Sequence, residues 1–184
     1  MVEIKTERLL LLPWNSNYLG DLVRIFAKPE VTRHISGGRP LNRDECLGMS
    51  DRWSGLWDEY GYGPWTALDN RSGRWVGRMG LDLLDDWPQQ DKWEIGWELD
   101  PDFWGQGLAT EGGKAGVRFG FEQAKLKRII SVTVPENVPS RRVMEKCGMI
   151  YQGLIRWRDA ECVWYAIDAP PVRDAGIKSV KFVL

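Results

Sequence analysis

FWGQGLATEG, residues 103–112, stands between an alternating apolar stretch, WEIGWEL at 93–99, and a helical pattern that runs to about Gln123. Gly105 and Gly107 let the backbone turn tightly with no Cβ in the way. The N–H groups of Gly105, Gln106, Gly107, Leu108, Ala109 and Thr110 then face outward at a helix start, where four donors lack an intrahelical partner. Such an end carries the positive pole of the helix dipole and takes phosphate. Strand, glycine turn and helix N-terminus therefore suggest a pyrophosphate cradle. The same residues also make a plain strand-to-helix turn that binds nothing, and the loop alone does not separate the two. A Walker loop ends in Gly-Lys-Ser/Thr, whereas this one ends in Gly-Leu-Ala-Thr. A Rossmann fingerprint needs a third glycine in an early βαβ unit. Here the loop lies past mid-chain, after a run of strand patterns.

Working outward, residues 3–12 read as a strand and 16–27 as a helix with Leu19, Leu22, Val23 and Phe26 on one face. Asn42 and Glu45 have capping-box spacing, and Met49, Trp53, Leu56, Trp57 and Tyr60 continue a helical stripe. YGPWTALD and RWVGRMGLDLL form a hairpin around Asn70–Gly73. In the strand at 92–100, Trp93, Ile95, Trp97 and Leu99 share one face and Glu94, Gly96 and Glu98 the other. A strand at 128–134, a short helix at 139–147 closed by Gly148, and two last strands follow. The order predicts an α+β fold: a mixed, mostly antiparallel central sheet with flanking helices and one parallel pair where the crossover helix lies.

With 184 residues, 43% hydrophobic and 28% charged, the chain reads as one ordinary globular domain. It has no apolar run of membrane length, and the Leu run near its start is too short for a signal segment. Cys46, Cys147 and Cys162 have no metal spacing, so a reduced, cytoplasmic protein without a metal is expected. Most of the eleven tryptophans are expected in the core. Residues 82–102 carry eight acids against Lys92 alone, while residues 110–146 carry eight bases against four acids. This is either two solvated faces of opposite sign, or an anionic cofactor on one side and a cationic acceptor on the other. No basic stripe argues for nucleic acid.

The segments WEIGWELDPDFWGQGLATEG and RIISVTVPENVPSRRVMEKCGM closely resemble the GNAT superfamily of N-acetyltransferases, and within it the RimJ/RimL-like branch. The shared pattern is Glu-Ile-Gly-aromatic, Trp-Gly-x-Gly-x-Ala-Thr-Glu, Asn-x-x-Ser and Glu-Lys-x-Gly-Phe/Met. The resemblance covers about residues 3–168 and implies a GNAT-like domain over 1–168, with 169–184 as a C-terminal extension. Gln106 departs from the pattern, which usually carries Lys or Arg there. In the extension, Val180, Phe182 and Leu184 alternate like a strand, which suits either pairing with an open sheet edge or a frayed end.

The resemblance implies acetyl transfer from acetyl-CoA to a primary amine on a small molecule or a protein N-terminus. It implies two strands that splay apart, with the pantetheine arm pairing on the exposed edge near Leu99 and the pyrophosphate held by Trp104 through Thr110. Gly96 would mark a bulge aiming an N–H at the thioester carbonyl. Asn137 would sit near the pantetheine and Ser140 near the sulfur, as proton donor to the thiolate. The tyrosine used by much of the superfamily is missing from residues 141–146. Arg141, Arg142 and Lys146 either meet the adenosine phosphate or line a solvated helix face. Glu94 is the candidate general base, with structural burial as its rival role. An ordinary glutamate value of about 4.3 is low for a base, and burial would raise it. A CoA-binding sensor and an acyltransferase with a longer acyl donor remain alternative readings, and a homodimer is compatible with either.

Overall fold

The computed structural model describes residues 2–171. Eight strands form one sheet: β1 (Ile4–Lys5), β2 (Leu9–Pro13), β3 (Pro64–Asp69), β4 (Trp75–Leu83), β5 (Trp93–Leu99), β6 (Arg128–Thr133), β7 (Ile150–Trp157) and β8 (Ala160–Asp168). Their order is β1-β2-β3-β4-β5-β6-β8-β7. Among the described residues only β5 and β6 run parallel, joined by the crossover helix α4 (Leu108–Glu122). On the other sheet face lie α1 (Leu19–Phe26), the single turn α2 (Pro29–Thr32) and α3 (Arg43–Tyr60), while α5 (Val138–Lys146) follows β6. The α+β architecture is the one the sequence predicts.

The expected single strand over 3–12 is instead two strands folded on each other, with Ile4 opposite Leu11. Thr6 breaks it: its N–H donates to Leu9 O at 2.9 Å, with its hydroxyl 3.2 Å from the same oxygen. Leu9 N–H returns a bond to the same hydroxyl at 2.9 Å. A side chain that bonds the nearby backbone offers it a turn in place of a ladder. The capping box of α3 forms as predicted, with Asn42 Oδ1 accepting from Glu45 N–H at 2.9 Å and the Glu45 carboxylate accepting from Asn42 N–H. The candidate strand of the C-terminal extension lies outside the described residues.

Two apolar layers sandwich the sheet. One, beneath α4 and α5, includes Leu9, Trp65, Met79, Leu81, Ile95 and Ile129. The other, beneath α1 and α3, includes Trp14, Phe26, Trp53 and Trp75. Most tryptophans are buried or half-buried, as expected, but Trp104 is 46% exposed. No helix among the described residues is long and apolar enough to cross a membrane.

A row of glycines lets α4 approach the sheet closely. A Cβ on Gly112 would lie 1.8 Å from Met79 Sδ, and one on Gly116 would lie 2.5 Å from Ile95 Cδ1. The fit positions the glycine loop, because that loop is the N-terminal end of the same helix. Gly112→Val is expected to cost about 1–3 kcal/mol by overpacking. In a chain of this length that lowers Tm by about 2–4 °C per kcal/mol. A melt at the wild-type temperature would mean that α4 has room to spare.

Candidate active site

β5 and β6 pair at Glu94 and Ile130 and then separate. The bonding direction along β5 identifies the groups that line the gap. Asp100 N–H donates to Val76 O and Lys92 O accepts from Leu84 N–H, each at 2.9 Å. Even-numbered residues therefore bond toward β4, and odd-numbered residues face β6. Accordingly Ile95 O accepts from Ser131 Oγ at 2.8 Å. The next backbone groups on the open edge belong to Trp97 and Leu99, and Leu99 O accepts from the Trp104 indole at 2.9 Å. Gly96 stays in unbroken register with Gly80. It makes no bulge, and its N–H turns toward β4, so the expected oxyanion role does not fall to Gly96. Trp97 was missed because the sequence reading followed side-chain faces; the same alternation, applied to N–H groups, points to it.

The half-buried Glu94 sits where the strands part. Its carboxylate accepts from Val132 N–H at 3.0 Å, taking a donor that a continued ladder would have used. Burial pushes its proton affinity up to about 8; the Val132 bond opposes this, nearby Asp82 adds to it, and Arg78 opposes it. A carboxyl so placed can hold or release a proton near neutral pH.

Beside it the sheet face is charged and braced. Asp82 lies opposite Glu94, and Arg78 opposite Glu98. Arg52 of α3 grips Asp82 through both nitrogens (2.5 and 2.8 Å), and Trp53 Nε1 donates to it at 3.0 Å. Farther along, Arg24 and Lys28 pin Asp100 at 2.5 and 3.0 Å. Much of the acidic run is thus neutralised within the fold.

The glycine loop has the predicted shape. Gly105 and Gly107 adopt φ of +72° and +79°, and Gly107 caps α4. Among the described residues, no backbone N–H from Gly105 to Thr110 has a partner; the first bonded donor is Glu111, to Gly107 O at 3.1 Å. Two residues without an assigned role in the sequence reading, Arg8 and Glu111, hold the loop open. Glu111 accepts from Thr6 Oγ1 (2.6 Å) and from Arg8 N and Nε (2.7 Å each). Burial by itself would raise Glu111, but these bonds outweigh it and hold the carboxyl below its ordinary value. Arg8 Nη1 donates to Gln106 O at 2.7 Å, which turns that carbonyl away from the row of donors. The Gln106 side chain folds back onto Asp102 O at 3.0 Å. Arg8 Nη2 lies 3.6 Å from the Cβ position of Gly107, so a guanidinium stands beside the loop where Gln106 offers no charge.

Asn137 caps α5, accepting from Ser140 N–H at 3.3 Å and donating to Thr133 Oγ1 at 3.0 Å. This ties α5 to the end of β6. Ser140 is half-buried, and its hydroxyl makes no hydrogen bond among the described residues. Tyr165 reaches α5 from β8, but its hydroxyl is engaged by Arg141 Nε and the Glu145 carboxylate, each at 3.3 Å. Arg141 also donates to Pro135 O, so of the expected basic trio Arg142 and Lys146 are the exposed members. Cys147 is buried, and burial pushes its thiol up to about 11. No cluster of three metal-ligating residues occurs among the described residues.

The solved structures with this fold include an acetyltransferase from Agrobacterium tumefaciens, with a TM-score of 0.80 and 24% identity over 91% of this chain and 94% of that one. They also include RimL, a ribosomal-protein alpha-N-acetyltransferase in complex with coenzyme A, with a TM-score of 0.73 and 15% identity over 91% and 98%. At these identities the likeness is one of fold. Among curated proteins, the FsC-acetyl coenzyme A-N(2)-transacetylase of Aspergillus fumigatus is 29% identical over 91% of this chain and 70% of its own length. The family model described as the acetyltransferase (GNAT) domain matches residues 8–150, which include β2 through α5, the glycine loop, Glu94 and Ser140. The chain therefore belongs to the GNAT acetyltransferases, enzymes that transfer an acyl group.

Proposed function

We propose that the chain transfers an acetyl group from acetyl-CoA to a primary amine by direct attack in a ternary complex. The carrying observation is the row of six unpartnered N–H groups, Gly105 to Thr110, at the start of α4 beside the gap between β5 and β6. The cradle takes the pyrophosphate, with Trp104 at its edge. The pantetheine amides pair with Trp97 and Leu99 in the manner of an added strand, and Asn137 holds the start of α5 beside the arm. Glu94 accepts the proton of the acceptor ammonium. The neutral amine attacks the thioester carbonyl, the tetrahedral adduct expels the thiolate, Ser140 protonates it, and the second proton on the new amide nitrogen passes back to restore the Ser140 hydroxyl. A thiol held near 11 makes Cys147 a poor nucleophile, which favours direct attack over an acyl-enzyme.

The acceptor is an amine-bearing small molecule or protein N-terminus. The RimJ/RimL-like branch is supported by the motifs at 94–97 and 104–111. Residues 1–168 would form the catalytic domain in a cytoplasmic setting, which three buried free thiols suit. Thiol release from acetyl-CoA across a panel of amines tests the assignment, with succinyl-CoA as competing donor. Amine-dependent release that prefers acetyl-CoA supports it. Coenzyme A binding without release would indicate a sensor.

Ser140→Ala is expected to lower kcat by about 10²-fold, the size of a general-acid contribution. Acetyl-CoA affinity should change little, because the cradle lies elsewhere. A loss of only a few-fold would assign thiolate protonation to water.

A further inference from the structure

The face shared by β4 and β5 holds more carboxylates than it holds cations. Across the pair, Asp82 faces Glu94, Gly80 faces Gly96, and Arg78 faces Glu98. Two acids directly opposite each other on one sheet face repel. The bare Gly96 gives Arg78 room to lie along the sheet between them. A Cβ on Gly96 would meet Arg78 Nη1 at 2.9 Å. Arg78 is 4% exposed, and its guanidinium carbon lies 4.6 Å from the centroid of the Trp53 ring. It pairs with Glu98 at 2.9 Å and with Asp82 at 3.3 Å. Asp82 is also held by Arg52 and Trp53. Among the described residues Glu94 receives only the neutral N–H of Val132. Two guanidinium groups thus serve three carboxylates, and the carboxylate left without a cation is Glu94.

We propose that Arg78 is a positioning residue: by neutralising Glu98 and Asp82 in place, it makes Glu94 the one carboxyl of this face that exchanges a proton with the acceptor ammonium. The inference rests on the reading of Glu94 as base. In the step itself, R–NH3+ and the Glu94 carboxylate become R–NH2 and the neutral carboxyl, and the proton returns to water after product leaves. The charge left uncompensated by Arg52 and Arg78 is supplied by the arriving ammonium, so the site favours a cationic acceptor. The groups that face Glu94 are Asp82 and Arg78 from β4, Glu98 on β5, Arg52 from α3, Val132 N–H from β6 and the buried thiol of Cys162 from β8. Burial raises Glu98 as well, with Arg78 opposing that rise.

The test is the pH profile of kcat/KM for thiol release with an alkylamine acceptor. Arg78→Met removes the cation and is expected to move the acid limb up by about one pH unit or more, the reach of a nearby opposite charge. Arg78→Lys should bring the limb back toward wild type. Glu98→Gln removes a negative neighbour and should move the limb down, a shift of opposite sign that stands even if Arg78→Met fails to fold. A melt and an acetyl-CoA titration accompany each variant. Limbs that stay at the wild-type pH in both Arg78→Met and Glu98→Gln, with rates merely scaled, would overturn the inference while leaving Glu94 as base. If instead Glu94→Gln keeps the wild-type limb, the reading of Glu94 fails and the inference falls with it.

Discussion

Glu94→Gln is expected to lower kcat/KM for an alkylamine acceptor by about 10²-fold or more at pH 9, the scale of a lost general base. The pH matters because burial holds this carboxyl up to about 8. Below that pH the wild type loses activity as Glu94 takes up its proton and the variant loses it as free amine runs out, so the gap should stay about constant below pH 8 and narrow above it. An alkylammonium, with a pKa of about 10.4, is still charged at pH 9 and still needs a base. With an ordinary glutamate value of 4.5 the gap would keep widening down to that pH, as neutral amine becomes scarce; desolvation at the strand gap stops the widening near 8. Stability carries the same signature. The folded-state value of about 8 lies above the ordinary 4.5, so the native state binds more protons than the unfolded chain between them. Stability is then lost as pH rises from about 4.5 to about 8. Glu94→Gln, which cannot ionise, should flatten that part of the stability curve. A variant with wild-type rate, limb and stability slope would make Glu94 a bystander.

Gly107→Val is expected to weaken acetyl-CoA binding by at least about tenfold, as read by calorimetry. Two effects act together. Residue 107 has φ of +79°, a region that β-branched side chains essentially avoid. The new side chain would also stand among the free N–H donors and press on Arg8, whose Nη2 lies 3.6 Å from the Cβ position. Losing even one charge-assisted hydrogen bond to phosphate costs about 1.5–3 kcal/mol, which is tenfold or more in affinity. Thermal stability should fall less than affinity, because residue 107 is exposed at the end of α4 and outside both apolar layers. Unchanged affinity would remove the pyrophosphate from this loop.

The fold was legible where the chain alternates cleanly. WEIGWEL, the Asn70–Gly73 turn and the Asn42–Glu45 cap are local signals, and each formed as predicted. The break at Thr6 was hidden because the Leu9–Leu12 run reads the same in one strand or two, and the hydroxyl that splits it leaves no periodicity. At the site, the residues that present backbone to a ligand were readable from Gly105 and Gly107. The side chains that brace them were not, since Arg8 meets Glu111 across 103 positions of chain. The same holds for Arg78, which reads as an ordinary charged residue in a strand until Glu98, Asp82 and Trp53 are seen around it. The acidic run at 82–102 suggested an open negative field, yet partners as distant as Arg24, Arg52 and Lys28 quench much of it. That leaves Glu94 as the charge to watch.

Rapid mixing of the enzyme with an equal amount of acetyl-CoA, first without and then with an amine that supports turnover, tests direct transfer most plainly. Free thiol and the intact mass of the chain are followed together. Direct attack in a ternary complex predicts no thiol and an unmodified chain until the amine arrives, then one acetylated amine for each thiol released. A burst of thiol equal to the enzyme before amine is added, with an acetyl group retained on the chain, would contradict it.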